Sequence, residues 1–174
     1  MNSMTMFRRG LYLGNCVVSH PATKQHAEIA KTAWDMYEIG TILNVSSGEV
    51  ASKRNLAMYR ESNIYYEQIP IDDSVDQAVR PDFAEKVLDV YKRHVERSPH
   101  RGFLVNCSAG INRSALASGI ILWTTTPNRP WSSVSEMVVY MRRMQLRHRQ
   151  IPMLLVNPAF QQYMEDTLRD RRYS

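Results

Sequence analysis

The sequence predicts a single α/β domain over residues 1–174, with a central, mostly parallel, twisted sheet flanked by helices. Three observations carry that expectation. Short apolar runs of strand length alternate with stretches of helical periodicity, the pattern of a parallel sheet covered on both faces. A chain of 174 residues suits one domain, and 44% apolar residues suffice for one core. No internal repeat or low-complexity segment breaks the alternation.

Each element follows in order. Residues 11–15 (LYLGN) read as a strand ending at a glycine turn. A helix is expected over residues 21–40, with Pro21 near its start. Ala27, Ile29, Ala30, Ala33, Trp34 and Tyr37 provide its apolar spacing and Gly40 its stop. Residues 41–45 (TILNV) are a short buried strand, and the β-branched and aromatic residues 63–71 (NIYYEQIPI) another. Pro81 fits the first position of a helix in which Phe83, Val87, Leu88, Tyr91 and Val95 recur at helical spacing. Residues 102–106 (GFLVN) are a strand, followed by a mostly buried helix that starts near Arg113. Ser133 and Glu136 have capping-box spacing at the head of a helix over residues 132–146. Residues 157–170 form a terminal helix with Asn157 as its cap and Pro158 in its first turn.

The formal net charge of +5 suits an anionic partner without choosing among phosphoprotein, nucleic acid and membrane surface. Cys16 and Cys107 are the only cysteines, too few for a disulfide framework, so a reducing compartment is expected. The five histidines are scattered without metal-ligand spacing. The N-terminal residues lack the apolar run of a secretory signal, and the longest apolar stretch, about residues 117–123, is too short to span a bilayer. An intracellular, cytoplasmic protein without membrane contact is the expectation.

The densest chemistry lies in residues 105–114, VNCSAGINRS. A strand enters Cys107 and a helix leaves at Arg113, so the stretch sits at the carboxyl end of a strand, where open α/β sheets bind ligands. Successive N–H groups of a curled loop, from Ser108 through Ala109, Gly110, Ile111 and Asn112 to Arg113, make an anion cradle. The helix N-terminus adds free donors and the positive end of its dipole. Gly110 permits the curl, and the Arg113 fork matches two phosphate oxygens. The same field should lower the Cys107 thiol from about 8.5 toward roughly 3.5–7.5, which makes it a nucleophile aimed at phosphorus. The plain alternative is a structural cysteine at a strand end.

The stretch CSAGINRS resembles the C-x5-R-S phosphate-binding loop of the cysteine-dependent protein phosphatases, and is most similar to the small dual-specificity type, within it the poxvirus members. LYLGN, ILNVSS, NIYYEQIPIDD and NPAFQQ stand in that family's order and approximate spacing. The resemblance implies the cysteine-phosphatase fold and a protein phosphatase that needs no cofactor or metal. It implies that Cys107 attacks phosphorus and forms a phosphocysteine. Arg113 and the loop amides hold the charge that spreads over the equatorial oxygens. Ser114 bonds the departing thiolate, and also suits a helix cap. The leaving oxygen needs a proton from an acid over the loop. The family's IP-type strand places Asp73 there, with Asp72 second and Asp76 on the surface. A solvated acidic turn is the alternative for all three.

Two departures accompany the resemblance. Asn106 stands where the family usually has His; it carries no charge, so a higher Cys107 pKa than in a His-bearing relative and a loss of rate at acidic pH are expected. Poxvirus members exchange a longer segment ahead of the first strand between subunits. With ten residues before Leu11, that exchange is not expected, and monomer and another dimer stay open.

The chain length leaves little room for the loops that deepen tyrosine-specific pockets, so phosphoserine and phosphothreonine should enter as well. Phosphorylated proteins, including host signalling factors or virion proteins, are the implied partners. Lys53, Arg54, Arg142, Arg143, Arg147 and Arg149 are candidates to ring the mouth, or are solvated surface charge. Met153, Leu154 and Leu155 lean to the core. An RNA 5′-triphosphatase or diphosphatase, and a phosphoprotein-binding pseudophosphatase weakened at Asn106, are the competing readings.

Overall fold

Among the described residues five strands make one sheet: β1 (Met4–Arg8), β2 (Leu11–Gly14), β3 (Ile39–Ser46), β4 (Tyr65–Ile71) and β5 (Gly102–Asn106). They lie side by side in the order β1-β2-β5-β3-β4. Only β1 is antiparallel; β2, β5, β3 and β4 run parallel. This computed structural model describes residues 4–169, so Asp170 of the expected terminal helix and both ends of the expected domain lie outside the described residues.

Seven helices are described: α1 (Cys16–Ser19), α2 (Lys24–Met36), α3 (Lys53–Glu61), α4 (Phe83–Arg97), α5 (Arg113–Thr125), α6 (Val134–Arg149) and α7 (Pro158–Leu168). The two-residue period of the strands sorts their side chains onto two cores. Leu11, Leu13, Leu43, Val45, Phe103 and Val105 pack with α4, α5, α6 and α7. Tyr12, Ile39, Ile42 and Leu104 pack on the other face with α2 and α3. Every residue of β3 and β5 is buried, as two-sided coverage of a parallel sheet requires. α5 buries ten consecutive residues, Ser114 to Trp123, because sheet and helices enclose it on all sides.

Several boundaries differ from the sequence reading. α2 begins at Lys24, where the Thr23 hydroxyl accepts the His26 N–H at 3.1 Å, and ends at Met36. Gly40 is no stop signal. It lies in β3, where an added Cβ would sit 2.8 Å from Arg101 Cβ, so the glycine makes room for a close neighbour. α4 starts at Phe83, after a turn at Pro81, and Val95 and Ile29 face outward at 44% and 42% exposure. α6 runs past residue 146 to Arg149. β1, α1 and α3 are absent from the sequence reading: β1 and α1 are too short for a periodic signal, and α3 is mostly polar. The capping pair at α6 is offset: Ser133 Oγ accepts from Glu136 N, but Glu136 Oε2 accepts from Ser132 N. Asn157 caps α7 as expected, accepting from Ala159 N at 2.9 Å. Leu154 and Leu155 are buried, whereas Met153 is 53% exposed.

Candidate active site

β5 is flanked by β2 and β3, and their carboxyl ends open on one side of the sheet. Residues 107–112 bridge β5 to α5 there. The loop's carbonyls are tied outward one after another. Ser108 O accepts from Cys16 N at 3.1 Å, and Ile111 O accepts from Leu155 N at 2.9 Å. Arg149 donates to Ala109 O at 3.1 Å and to Gly110 O at 3.0 Å, and Gln145 Nε2 donates to Gly110 O at 2.9 Å. A trans peptide points its N–H opposite to its C=O. Four outward carbonyls therefore turn the amides of Ala109, Gly110, Ile111 and Asn112 inward, into a concave cradle of donors. Gly110 makes this curl at φ +68°, and a Cβ there would meet Gly14 O at 2.7 Å.

Cys107 lies at the base, 2% exposed, with Sγ 3.2 Å from Ser114 Oγ. Arg113 arches over the loop: Nη1 donates to Ser46 Oγ at 3.2 Å and Nη2 to Ser108 Oγ at 2.7 Å. Its Nε has no partner among the described residues. Ser46, at the end of β3, was not singled out from the sequence; only the pairing of β3 beside β5 brings it to the arginine.

Asp73 joins the site from the exposed loop after β4. Its Oδ2 accepts from Asn112 Nδ2 at 3.1 Å and its Oδ1 from Asn157 Nδ2 at 3.0 Å. Asn112 Oδ1 in turn accepts from the Val156 and Asn157 N–H groups. The cap of α7 thus doubles as a brace for Asp73, a use invisible in the spacing that marked Asn157 as a cap. Asp72 points elsewhere, lining a small cleft with Gln77 and Arg80, and Asp76 is exposed.

Asn106 is fully buried, and strand alternation turns it to the face opposite Cys107. Its Nδ2 donates to Asn44 Oδ1 at 3.3 Å, and its Oδ1 has no partner among the described residues. Asn44 donates to Glu49 O at 2.6 Å and to Tyr66 Oη at 3.1 Å. Tyr66 Oη lies 3.3 Å from His20 Nε2. Burial pushes His20 down from 6.5 to about 4, so the ring is neutral in this network. Cys16 borders the loop, and burial pushes its thiol up, with Glu49 and Cys107 acting in the same direction.

The basic residues divide. Lys53, Arg54, Arg143 and Arg147 are exposed. Arg142 turns inward to donate to Leu154 O and Leu155 O, and Arg149 is buried behind the loop; neither rings the mouth. Among the described residues no group of three or more His, Cys, Asp or Glu is placed to hold a metal.

A covered parallel sheet whose central strand feeds this cradle is the fold of the small cysteine-dependent protein phosphatases, and solved structures of that class superpose on nearly the whole chain. A mouse putative dual specificity phosphatase, complexed with zinc tungstate, has a TM-score of 0.67 at 16% identity, covering 99% of this chain and 95% of that one. Human DUSP28 has a TM-score of 0.64 at 16% identity and 97% coverage of each. OH1 from the Orf virus, a tyrosine phosphatase with triple substrate specificity, has a TM-score of 0.62 at 16% identity, over 95% of this chain and 86% of that one. No protein-family model and no curated protein sequence matches this chain.

Proposed function

We propose that this chain is a cysteine-dependent protein phosphatase of dual specificity, working through a phosphocysteine intermediate. One observation carries the reading: Cys107 just after β5, Arg113 from α5 and Asp73 from the loop after β4 converge around a single cradle of inward amides. The phosphatase fold supports it.

Cys107 Sγ attacks phosphorus and the bond to the leaving oxygen breaks. Asp73 gives its proton to that oxygen. As a carboxylate it then takes a proton from a water, whose oxygen attacks phosphorus and releases Cys107 as thiolate. Ser114 Oγ–H, 3.2 Å away, donates to that thiolate. Arg113 exchanges its two serine hydroxyls for two phosphate oxygens, and the amides hold the third. Asp72 lies outside this set.

The proposed partners are phosphorylated proteins, which the resemblance of the loop sequence to poxvirus members extends to host signalling factors or virion proteins. No helix among the described residues is long and apolar enough to cross a membrane. The deciding test is hydrolysis, side by side, of an aryl phosphate, phosphotyrosine and phosphoserine peptides, and RNA with a 5′-triphosphate. Turnover of both peptides, abolished by Cys107→Ser, is expected. Preference for the RNA makes the chain an RNA 5′-phosphatase; peptide binding without turnover makes it a binding protein.

A further inference from the structure

Arg149 is a buried arginine that the proposed reaction does not use. Its residue is 6% exposed, in the last turn of α6, where the negative end of the helix dipole favours a cation. Its fork spans two consecutive loop carbonyls, Ala109 O and Gly110 O. Nη1 would lie 2.6 Å from a Cβ on Gly110, so guanidinium and loop are in direct contact. Carbonyls satisfy its hydrogen bonds but do not neutralise its charge. Burial without an opposite charge is costly, and the group that can oppose this one is Cys107: burial pushes the Arg149 guanidinium down, and negative charge on Cys107 pushes it up.

We propose that Arg149 is a positioning residue with two coupled effects: it fixes the inward turn of the Gly110 and Ile111 amides, and it supplies a second permanent positive charge, opposite Arg113, that favours the thiolate form of Cys107. This rests on the phosphatase reading for its purpose, though not for its test. The groups set around Cys107 are Cys16 on α1, Arg113 on α5, Arg149 on α6 and, braced through Asn112, Asp73; Glu49 stands beyond Cys16. Position 106 supplies no charge and faces the other side of the sheet. Arg113 and Arg149 are therefore the permanent cations of the loop, one in front and one behind. Gln145 makes the brace rigid, since its Nε2 holds Gly110 O while its Oε1 accepts from Thr5 Oγ1.

The test is the pH profile of iodoacetamide alkylation, read at the Cys107 peptide by mass spectrometry, which also separates Cys16. Arg149→Met removes the charge, Arg149→Gln keeps one donor without charge, and Arg149→Lys keeps the charge with a poorer fork. The midpoint should rise by about one pH unit in Met and Gln, a tenfold loss of thiolate below both midpoints, and return most of the way in Lys. A wild-type midpoint in Met and Gln, with only lower stability or higher KM at every pH, would make Arg149 a structural brace and overturn the charge assignment. If neither neutral variant folds, Cys107→Ser decides. A thiolate favoured by the fold makes wild type melt several degrees above Cys107→Ser at pH 8, with the gap closing as pH falls through the midpoint; equal melting at every pH overturns the proposal. Alkylation needs no turnover. A wild type that shifts as expected but hydrolyses no phosphate ester sinks the phosphatase reading alone.

Discussion

The two sides of the loop over residues 107–112 each present a guanidinium, and they hold it differently. In front, half-buried Arg113 rests on the hydroxyls of Ser46 and Ser108. Behind, Arg149 is locked onto two backbone carbonyls and is almost wholly buried. A hydroxyl can turn to another partner, whereas a buried carbonyl has no water to fall back on. The front is thus built to exchange partners for a phosphate, and the back to keep the amides aimed. The same residue type serves binding or shape according to what it faces.

Substitutions at the front should cost rate and spare stability; those at the back should cost both. Cys107→Ser should reduce aryl phosphate hydrolysis to the rate of the buffer blank, because a serine hydroxyl ionises far less readily than a thiol and is a much poorer nucleophile there. Arg113→Lys should lower kcat/KM by about 10³-fold, since a point charge cannot make two parallel bonds to the phosphate. Its melting temperature should stay near wild type, and a large fall would move Arg113 into the structural class. Asp73→Asn should cost about 10²-fold on a phosphoserine peptide, where the leaving oxygen is basic, and far less on p-nitrophenyl phosphate. Equal losses on both substrates would remove Asp73 from the proton-transfer step. Gly110→Ala joins the two sides. The positive φ and the contact with Gly14 O should cost about 2 kcal/mol of stability, or roughly 4–8 °C in melting temperature, with activity falling in parallel.

The smallest effect separates the scaffold from the chemistry. His20, shifted from 6.5 to about 4, and His94, shifted down by burial, are neutral in the fold and charge more readily when unfolded. The unfolded chain then binds more protons between about pH 6.5 and 4, so stability is full above pH 6.5 and declines as pH falls through that window. His20→Gln should flatten the decline measured by thermal unfolding, without moving the alkylation midpoint of Cys107. A moved midpoint would tie the Tyr66–Asn44–Asn106 network to the thiol.

The α/β class and the parallel sheet were legible in the sequence, because continuous apolar runs such as 102–106 and 117–123 have no other stable place than between layers. The head of the loop was legible too: a strand, Cys107, Gly110 and Arg113 are contiguous, so local geometry alone brings them together. Asp73 could be picked only by resemblance, and its separation from Asp72 came from two amide donors, Asn112 and Asn157, up to 84 residues away. Ser46 and Arg149 are likewise out of local reach, 67 residues from Arg113 and 39 from Gly110. A charge on an amphipathic helix reads as surface until a neighbouring loop covers it, and a serine at a strand end reads as solvated until the next strand is placed. By itself the sequence determined which groups are present and which local turns they can make. The tertiary structure decided which side of the loop each charge faces, because that depends on strand order and helix docking, and neither is encoded in spacing along the chain.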